Sequence, residues 1–372
     1  MKILYGAGNV GRMAINRYGK ENVRLVIDNH INQDSLDGIR IVRFKDYLDN
    51  ERLDDDEIIV SVFYDNNKEI LESLEQNDIS YEIYGSFEEE KGCGDCIHIF
   101  GEYPNIRITA EKEVLDRRTV CHRAFLAEEL FQTVLKKYKD DFEGKTLELF
   151  IHTGDNPIAA YDTMKRMKLN HIFGYSTVDV YKDRVIPIPD YRSFYMDEAY
   201  YFKENMKVSV EASEKDITDN RIFWRGSTST NEGRKWLKTL SEKYPDILKV
   251  EEYDNKNYIP MYAHTDYKYA IDVRGFGFTD RVCNLLWLNR PLFLVDRPYK
   301  QWFFDKLVPM VNYIPVKEDL SDLIEKYEYM ETHPQLYDAM RKSMRELCEK
   351  ELSPEAVLRY VKDIILKYGV KR

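Results

Sequence analysis

Apolar positions alternate between strand-like and helix-like spacing near the start of the chain. Strands that alternate with helices form a parallel sheet with helices on its faces. The pattern therefore predicts a small α/β unit over 1–86. It contains strands over 2–5, 23–28, 57–63 and 81–84, and helices over 9–18 and 66–75.

The alternation stops at 87–118, where an acidic run and a Cys-Gly-Asp-Cys turn indicate a connector. Helical spacing returns at 119–138 and predicts a long amphipathic helix. Beyond it, strands are predicted over 147–151, 171–173, 221–224, 267–273 and 291–295, and helices over 231–244, 280–288, 320–330 and 335–349.

A chain of this length normally forms about two or three domains. The changes in pattern divide it into the units 1–86, 87–118, 119–205 and 206–372. The first unit is α/β, and the strands and helices of the last two predict that they are α/β as well.

Composition narrows the classes of function. A net charge of −11 without a dense Lys/Arg block argues against a protein that wraps a nucleic-acid backbone. No run approaches the ~18 apolar residues of a membrane span, and residues 1–5 lead into a glycine turn instead of a signal peptide. We therefore expect a cytoplasmic protein with no nucleic-acid partner.

The five cysteines have no framework spacing and fit reduced thiols. Cys93 and Cys96 could form half of a metal site, completed by His98 or by Cys121 and His122. No second pair has zinc-like spacing, so a plain loop is the favoured interpretation and no metal site is predicted.

The N-terminal segment Gly6-Ala7-Gly8-Asn9-Val10-Gly11 matches G-x-G-x-x-G between a predicted strand and helix. Such glycines form a tight turn, and an acidic residue about 20 positions on can bind a ribose hydroxyl. The candidate residues of a nucleotide or NAD-like site are Gly6, Gly8, Gly11 and Asp28. The same turn forms in folds that bind no dinucleotide, so the motif leaves the ligand open.

This motif favours an alternative function, that of an NAD-dependent sugar-nucleotide oxidoreductase or epimerase. Tyr161 and Lys165 even have the spacing of the proton-transfer pair in such enzymes. Among 28 tyrosines, however, such pairs arise by chance, and this one is far from the glycines. A surface helix is the plainer interpretation.

A second glycine turn follows the strand predicted over 221–224. Arg225 ends the strand, and Gly226 and Ser227 begin a hydroxyl-rich turn that leads into the helix predicted from Asn231. Free backbone N–H groups, small residues and a guanidinium group together suit a diphosphate. The alternative is a Ser/Thr helix cap with Arg225 in a structural ion pair.

The arrangement recurs after the strand predicted over 267–273, where a glycine-spaced loop from Arg274 to Arg281 enters another helix. Two helix starts, each with an arginine, could converge on one departing anion, as sugar transfer from a nucleoside diphosphate requires. A metal could serve instead, but no Asp-x-Asp ends a suitable strand. The acidic run 54–56 precedes an N-terminal strand and is interpreted as a turn.

The segments FWRGSTST and YKYAIDVRGFGFTDRVCNLLWLNRPLFLVDRPYKQWFFDKLVPMVNYIPVKEDLSDL resemble the CAP10 domain of glycosyltransferase family 90. That family includes protein O-glucosyltransferases and capsule-related xylosyltransferases. The resemblance runs over 147–360 and is densest over 225–323. The N-terminal unit is not covered, and it is similar only to Rossmann-like modules attached to various sugar-modifying enzymes.

The resemblance implies a GT-B pair of Rossmann-like halves preceded by a small Rossmann-like accessory domain. The acceptor-side half would be 119–205, and the donor half 206–372 with its C-terminal helices. It implies inverting transfer, without metal or cofactor, from a UDP-sugar of the glucose, xylose or galactose type to a glycan or other hydroxyl acceptor. The expected setting is capsule or lipopolysaccharide-type synthesis, where a lipid-linked acceptor would bring the chain to the inner face of the membrane.

The resemblance also assigns residues. Arg225 and Arg281 would hold the diphosphate. The other donor-side candidates lie in the same two turns and strand: Gly226, Ser227, Asp272, Gly275, Phe276, Gly277, Phe278 and Thr279. Gly277, Phe278 and Asp280 replace other residues of relatives, and the bulky Trp224 is unusual beside Arg225.

Asp155 is the candidate base, because 151–157 resembles the segment that carries the family's catalytic aspartate. An in-line displacement needs one carboxylate to take the acceptor's hydroxyl proton. The alternative is an Asp turn before a proline. Tyr175, Ser176 and Tyr181 are candidates for the acceptor side. The run from Asp319 to Asp322 is interpreted as helix capping in preference to ribose binding.

Overall fold

The structure, a computed structural model, describes residues 1–30, 33–62, 68–84, 88–89, 96–110, 118–190, 210–253, 259 and 261–371. Cys93 lies outside these residues. Within them the strands form two six-stranded sheets and one five-stranded sheet.

The first sheet has the strand order β3-β4-β2-β1-β5-β6. Its strands are β1 (Lys2–Tyr5), β2 (Val23–Ile27), β3 (Ser35–Leu36), β4 (Ile39–Val42), β5 (Glu57–Val60) and β6 (Tyr81–Ile83). All neighbours are parallel except β3 and β4. Without β3 the order is 3-2-1-4-5, which is that of a doubly wound α/β fold.

Both faces of β1 are covered, which explains its unbroken apolar run. Leu4 packs into one hydrophobic cluster, while Ile3 and Tyr5 pack into another on the opposite face. The helices Asn9–Tyr18 and Lys68–Gln76 and the helical turns Phe44–Asp46 and Tyr47–Glu51 accompany this sheet.

The second sheet has the order β12-β11-β10-β8-β9-β7 and is mixed. Its strands are β7 (Glu88–Glu89), β8 (Cys96–Glu102), β9 (Arg107–Ala110), β10 (Thr146–His152), β11 (Ile172–Gly174) and β12 (Val185–Pro187). β10, β11 and β12 run parallel, whereas β8 is antiparallel to both β10 and β9. The helices of this part are Arg118–Lys137, Lys139–Phe142 and Pro157–Arg166.

Strands β7 to β9 come from the segment in which a connector is predicted. Cys96 begins β8 and is buried, with its Sγ 3.9 Å from the Sδ of Met167. His98 is also buried and stacks on Phe150 with ring centroids 4.0 Å apart. Packing in the sheet thus accounts for both side chains, which the sequence offered as parts of a metal site.

The third sheet is parallel throughout, with the order β14-β13-β15-β16-β17. Its strands are β13 (Asp219–Gly226), β14 (Leu248–Glu252), β15 (Tyr267–Asp272), β16 (Leu292–Val295) and β17 (Ile314–Val316). The helices that follow its strands are Glu232–Lys243, Val282–Trp287, Leu323–Thr332, Pro334–Glu351 and Pro354–Ile364. The predicted α/β class is confirmed.

The last helix packs against the part of the chain that forms the second sheet. The helix Pro354–Ile364 contacts Arg118–Lys137, where Glu355 accepts a hydrogen bond from Tyr138 at 3.1 Å. Val370 forms an isolated bridge with Leu147 of β10. One hydrophobic core therefore extends across the second and third sheets.

The helix Arg118–Lys137 also contacts the N-terminal residues that form the first sheet. Leu126 is buried in a cluster of N-terminal residues, and Glu128 pairs with Arg17 at 3.0 Å. Glu128 is almost fully buried. Its burial raises its pKa, and the charge of Arg17 opposes that shift.

Candidate active site

The third sheet has a topological switch point. β13, β14 and β15 are consecutive strands, yet β14 and β15 lie on opposite sides of β13. At such a point the connections diverge and leave a crevice at the carboxyl ends of the strands. Arg281 joins the two strand ends there: its Nε donates to Asp272 at 2.6 Å and its Nη1 to the backbone oxygen of Arg225 at 2.5 Å.

The carboxylate of Asp272 is fully buried. Besides Arg281, it accepts hydrogen bonds from Thr279 at 2.6 Å and from Arg297 at 2.5 Å. Burial alone would raise its pKa, but the charges of Arg297 and Arg281 outweigh burial and hold the pKa well below its ordinary range. Asp272 is therefore an enclosed anion that fixes two guanidinium groups.

Two further arginines approach the same strand ends. Arg225 pairs with Glu251 at 2.6 Å. Arg234, from the helix Glu232–Lys243, donates to the backbone oxygens of Ser227 and Arg274, both at 3.0 Å. Burial lowers the pKa of Arg234 to about 10, and the positive charge of Arg281 adds to this shift. More guanidinium groups than carboxylates thus meet at the crevice.

Trp224 contributes an aromatic ring to this cluster. The guanidinium carbon of Arg281 lies 5.3 Å from its ring centroid and that of Arg234 lies 5.5 Å away, within cation–π range. A Cβ at Gly226 would be 2.8 Å from Cζ2 of the same ring. The large ring beside Arg225 therefore requires the glycine that follows.

The turn after β13 has the features of the alternative interpretation: Arg225 is ion-paired with Glu251, and the hydroxyl of Ser227 caps the helical turn Thr228–Thr230 by accepting from the N–H of Ser229. Asn231, not a Ser or Thr, caps the helix Glu232–Lys243 by accepting from the N–H of Gly233 at 2.8 Å. Thr228 donates from its N–H and its hydroxyl to Glu252, at 3.0 and 2.5 Å. Ser227 lies at the start of the turn, where its hydroxyl is 2.8 Å from that of Ser229.

The glycine loop after β15 reaches across to the part of the chain that forms the second sheet, which is called the second unit from here on. A Cβ at Gly277 would lie 2.9 Å from the backbone oxygen of Asp155 and 3.2 Å from its Cβ. A Cβ at Gly275 would lie 3.5 Å from Arg234. The loop therefore lies close to both the candidate base Asp155 and Arg234.

Asp155 follows β10 and is held by an arginine that the sequence did not single out. The guanidinium group of Arg123 lies 2.5 Å from Oδ1 of Asp155 and donates to Oδ2 at 3.1 Å. The backbone oxygen of Arg123 accepts from Tyr175 at 2.8 Å. The Asp155 side chain is 43% exposed, so it is oriented and still open to solvent.

The predicted acceptor-side residues separate into two groups. Ser176 donates to the backbone oxygen of Asp155 at 3.4 Å, and Tyr175 packs near Phe278 with ring centroids 6.3 Å apart. Tyr181 instead stacks on Tyr161 of the helix Pro157–Arg166, with centroids 3.9 Å apart. In contrast to the buried Phe278, Phe276 is 80% exposed.

The N-terminal glycine motif forms the predicted turn between β1 and the helix Asn9–Tyr18. A Cβ at Gly11 would lie 2.2 Å from the backbone oxygen of Gly6, whereas Gly8 has open space around it. Asp28 accepts from the N–H of Ala7 at 2.9 Å and from that of His30 at 2.8 Å. Its carboxylate therefore stabilises the turn itself.

Two other candidate groups have structural roles. Lys165 pairs with Asp162 at 3.2 Å and lies over the ring of Tyr161, as expected for a surface helix. Asp322 precedes the helix Leu323–Thr332, and its Oδ1 accepts from the N–H of Lys317 at 2.9 Å.

Over the described ranges, no group of three or more His, Cys, Asp or Glu side chains is placed to hold a metal ion. No helix in those ranges is long and apolar enough to cross a membrane.

Sequence reasoning missed three arginines of this cleft: Arg123, Arg234 and Arg297. Arg123 and Arg297 lie 32 and 25 residues from the carboxylates they bind, so no local spacing indicates them, whereas Arg234 is four residues from Thr230, which accepts a hydrogen bond from it at 2.7 Å. Arginine is rarely buried, so an arginine on the apolar face of a predicted helix or strand must have a buried partner. That is the signal in the sequence that points to such residues.

The structure is that of an α/β protein with an arginine-rich crevice at a switch point and with Asp155 close to the loop that follows β15. Residues 111–371 match the description "Glycosyl transferase family 90", which is well over half of the chain. The chain belongs to this family, and the predicted resemblance is confirmed.

Protein O-glucosyltransferase 2 of Danio rerio is 25% identical over 60% of this chain and 47% of its own length. Protein O-glucosyltransferase 3 of Homo sapiens is 23% identical over 73% of this chain and 60% of its own. The chain thus spans about half the length of the curated relatives it matches.

Among solved structures, a glycosyltransferase from Rickettsia africae covers 99% of both chains at 10% identity and a TM-score of 0.40. Anabaena Alr3699/HepE in complex with UDP and glucose covers 98% of this chain and 99% of its own at 9% identity and a TM-score of 0.40. At these scores the likeness carries no argument about this chain.

Proposed function

We propose that this chain is an inverting glycosyltransferase that moves a sugar from a UDP-sugar to a hydroxyl acceptor. The observation that carries the proposal is the arginine cluster at the switch point, set across the cleft from Asp155. Family membership supports the reaction class.

The cluster suits the diphosphate of the donor. Arg225 and Arg281 are the proposed ligands, since both lie at the carboxyl edge of the third sheet. Arg234 adds positive charge from the helix that starts after the turn. Asp272 holds Arg281 and Arg297 in place from behind, so little rearrangement is needed when an anion binds.

Asp155 is the proposed base. The acceptor oxygen forms a bond to the anomeric carbon while the bond from that carbon to the diphosphate oxygen breaks. The hydroxyl proton passes to Asp155, and UDP leaves with the electron pair of the broken bond. One carboxylate opposite the leaving group gives a single displacement and hence inversion.

The leaving diphosphate gains negative charge as its bond to the sugar breaks. In this proposal the guanidinium groups of Arg225, Arg234 and Arg281 stabilise that charge, and transfer needs no metal ion. The closeness of Gly277 to Asp155 supports a base near the loop that ends at Arg281.

The acceptor we propose is a glycan, and the setting is surface-polysaccharide synthesis of the capsule or lipopolysaccharide type. The donor sugar we propose is of the glucose, xylose or galactose type. These finer assignments rest on family membership.

Calorimetric titration with UDP, UDP-glucose, UDP-xylose and UDP-galactose tests the proposal. Slow hydrolysis of the three UDP-sugars by the protein is a second measurement. Arg225→Ala and Arg281→Ala should each weaken UDP binding at least tenfold, the scale of a charge-assisted hydrogen bond of about 1.5–3 kcal/mol. The matched control is Arg221→Ala, on the same strand, whose guanidinium pairs with Asp219 at 2.6 Å. No binding of UDP or of any of these sugars would contradict the proposal.

A further inference from the structure

A large cleft that no sequence motif indicated lies beside the arginine cluster. Its volume is about 750 Å³, and it opens at the carboxyl ends of β16 and β17. This is within the usual range of small-molecule sites. Its walls also include Thr177 and Pro187 from the second unit and Tyr360 from the last helix.

The cleft adjoins the proposed reaction centre on two sides. Thr177 follows Ser176, which donates to the backbone oxygen of Asp155. Arg297, on the opposite wall, donates to Asp272, which in turn binds Arg281. The wall of the cleft is thus separated from the proposed base by Ser176 and from a proposed diphosphate ligand by Asp272.

The charge in the cleft differs from that in the arginine cluster. Five cationic and four carboxylate side chains line it, and one of the cations, Arg297, is already neutralised by Asp272. Lys326 pairs with Asp322 at 3.5 Å. The balance disfavours an anion and favours an uncharged ligand.

Two buried polar atoms on the wall lack hydrogen-bond partners among the described residues: Oε1 of Gln301 and Nε1 of Trp302. Gln301 is 3% exposed and Trp302 7% exposed. The Nε2 of Gln301 donates to Asp190 at 3.0 Å, which leaves Oε1 as an acceptor. The wall thus contains one unsatisfied acceptor and one unsatisfied donor, and a hydroxyl group can partner either kind, since it donates and accepts.

Aromatic rings complete the lining. Trp302 and Tyr360 lie with ring centroids 4.9 Å apart, and Tyr313 contributes a third, half-buried ring. Aromatic faces pack against the apolar faces of sugar rings, while the polar groups bind their hydroxyls.

We propose that this cleft is a saccharide subsite, which takes an uncharged sugar ring through Gln301, Trp302 and Tyr313. The same chemistry has two sources, the sugar of the donor and the sugar of the acceptor. This cleft would be the sugar site of the proposed transferase. The role of the cleft in turnover rests on that proposed function, whereas sugar binding in the cleft does not.

The test uses Trp302→Phe, which keeps an aromatic ring and removes the indole N–H, and Tyr313→Ala, which removes a ring that is only half-buried. Trp236→Phe is the matched control, because Trp236 is 49% exposed on the helix Glu232–Lys243. The affinities of UDP and UDP-glucose are measured by calorimetry, and binding of free glucose, xylose and galactose by saturation-transfer NMR. Circular dichroism and the unchanged affinity for UDP establish that the variants are folded.

If the donor sugar occupies the cleft, Trp302→Phe weakens UDP-glucose binding about three- to tenfold, as expected for one lost hydrogen bond. Tyr313→Ala also weakens it, through the lost ring contact, and both variants leave UDP binding unchanged. If the acceptor sugar occupies it, UDP-glucose is unaffected and the NMR signals of the free sugars weaken instead. The inference is overturned if neither variant changes binding of UDP-glucose or of the free sugars.

Failure of the proposed function looks different. In that case UDP does not bind to the wild-type chain, whereas free sugars still bind and lose affinity in the Trp302 variant. Conversely, UDP-glucose hydrolysis that all three variants retain in full, with unchanged sugar binding, refutes the subsite alone.

Discussion

Replacing Asp272 by asparagine isolates the role of one buried charge. The wild-type carboxylate accepts hydrogen bonds from Arg281, Arg297 and Thr279. Asparagine has nearly the same shape but brings an N–H₂ group toward guanidinium donors. Arg297, which is 3% exposed, would then be buried without its counter-charge.

The expected cost follows from that geometry. Removing one partner of a buried ion pair costs about 3–5 kcal/mol, because the remaining charge stays desolvated. A typical free energy of unfolding is about 5–15 kcal/mol, so Asp272→Asn should lose a large fraction of it. The matched control is Asp162→Asn, at a 65% exposed pair with Lys165, which should change stability by less than about 1 kcal/mol.

The loss of unfolding free energy caused by Asp272→Asn should also depend on pH. The pKa of Asp272 is lower in the folded state than in the unfolded state, so its carboxylate stabilises the fold above the unfolded pKa of about 3.9. That stabilisation is lost as the pH falls below this value. The difference between wild type and Asp272→Asn should therefore shrink in acid.

Urea denaturation of both proteins, followed by circular dichroism at neutral pH and near pH 3, below the unfolded pKa of about 3.9, measures these quantities. A loss of less than about 1 kcal/mol at neutral pH would refute the argument, because the arginines would then need no buried carboxylate. Calorimetry with UDP supplies a second readout: the variant should bind UDP more weakly, since Arg281 loses its anchor.

Three further predictions concern other parts of the chain. Asp155→Asn should lower turnover by at least about a hundredfold while UDP affinity stays within about twofold, and full turnover would refute its role as base. Burial, with the charge of Arg281 adding to it, lowers the pKa of His264 to about 3. As pH falls from about 6.5, the unfolded chain therefore binds a proton that the folded chain does not, and stability should fall by about 1.4 kcal/mol per pH unit. His264→Gln should reduce this slope in urea titrations and His30→Gln, at an exposed position, should not; equal slopes would exclude His264 as the source. Gly11→Ala should destabilise the N-terminal unit by about 1–3 kcal/mol, because its Cβ would overlap the backbone oxygen of Gly6, whereas Gly8→Ala should be nearly neutral. If NAD raises the melting temperature of wild type and of Gly8→Ala by the same amount, that rise does not come from NAD bound at this turn.

The regular elements were predictable where apolar spacing is continuous. β1 and the helix Asn9–Tyr18 match their predicted bounds, and the helix Arg118–Lys137 is displaced by one residue. β14, with the sequence Leu-Lys-Val-Glu-Glu, escaped because only two of its five residues are apolar. Its pairing with β13 is a tertiary contact that local spacing does not show.

The candidate site was predictable only where its residues lie next to a local turn. Arg225 and Arg281 ended recognisable turns, and the structure joins them through a direct hydrogen bond. The enclosed state of Asp272 was not predictable, because its partner Arg297 lies 25 residues further along the chain. The cleft beside Trp302 is lined by residues of β12, β16, β17 and the helix Pro354–Ile364, among others, which meet only in the folded chain.

The helix Arg118–Lys137 has a consequence for folding cooperativity. One of its side chains, Arg123, holds Asp155, while Leu126 and Glu128 are buried against the N-terminal unit. Removing that unit would expose Leu126 and leave Glu128 without Arg17. We therefore expect the N-terminal unit and the second unit to melt in a single calorimetric transition, in which case the N-terminal unit also supports the helix that orients the proposed base.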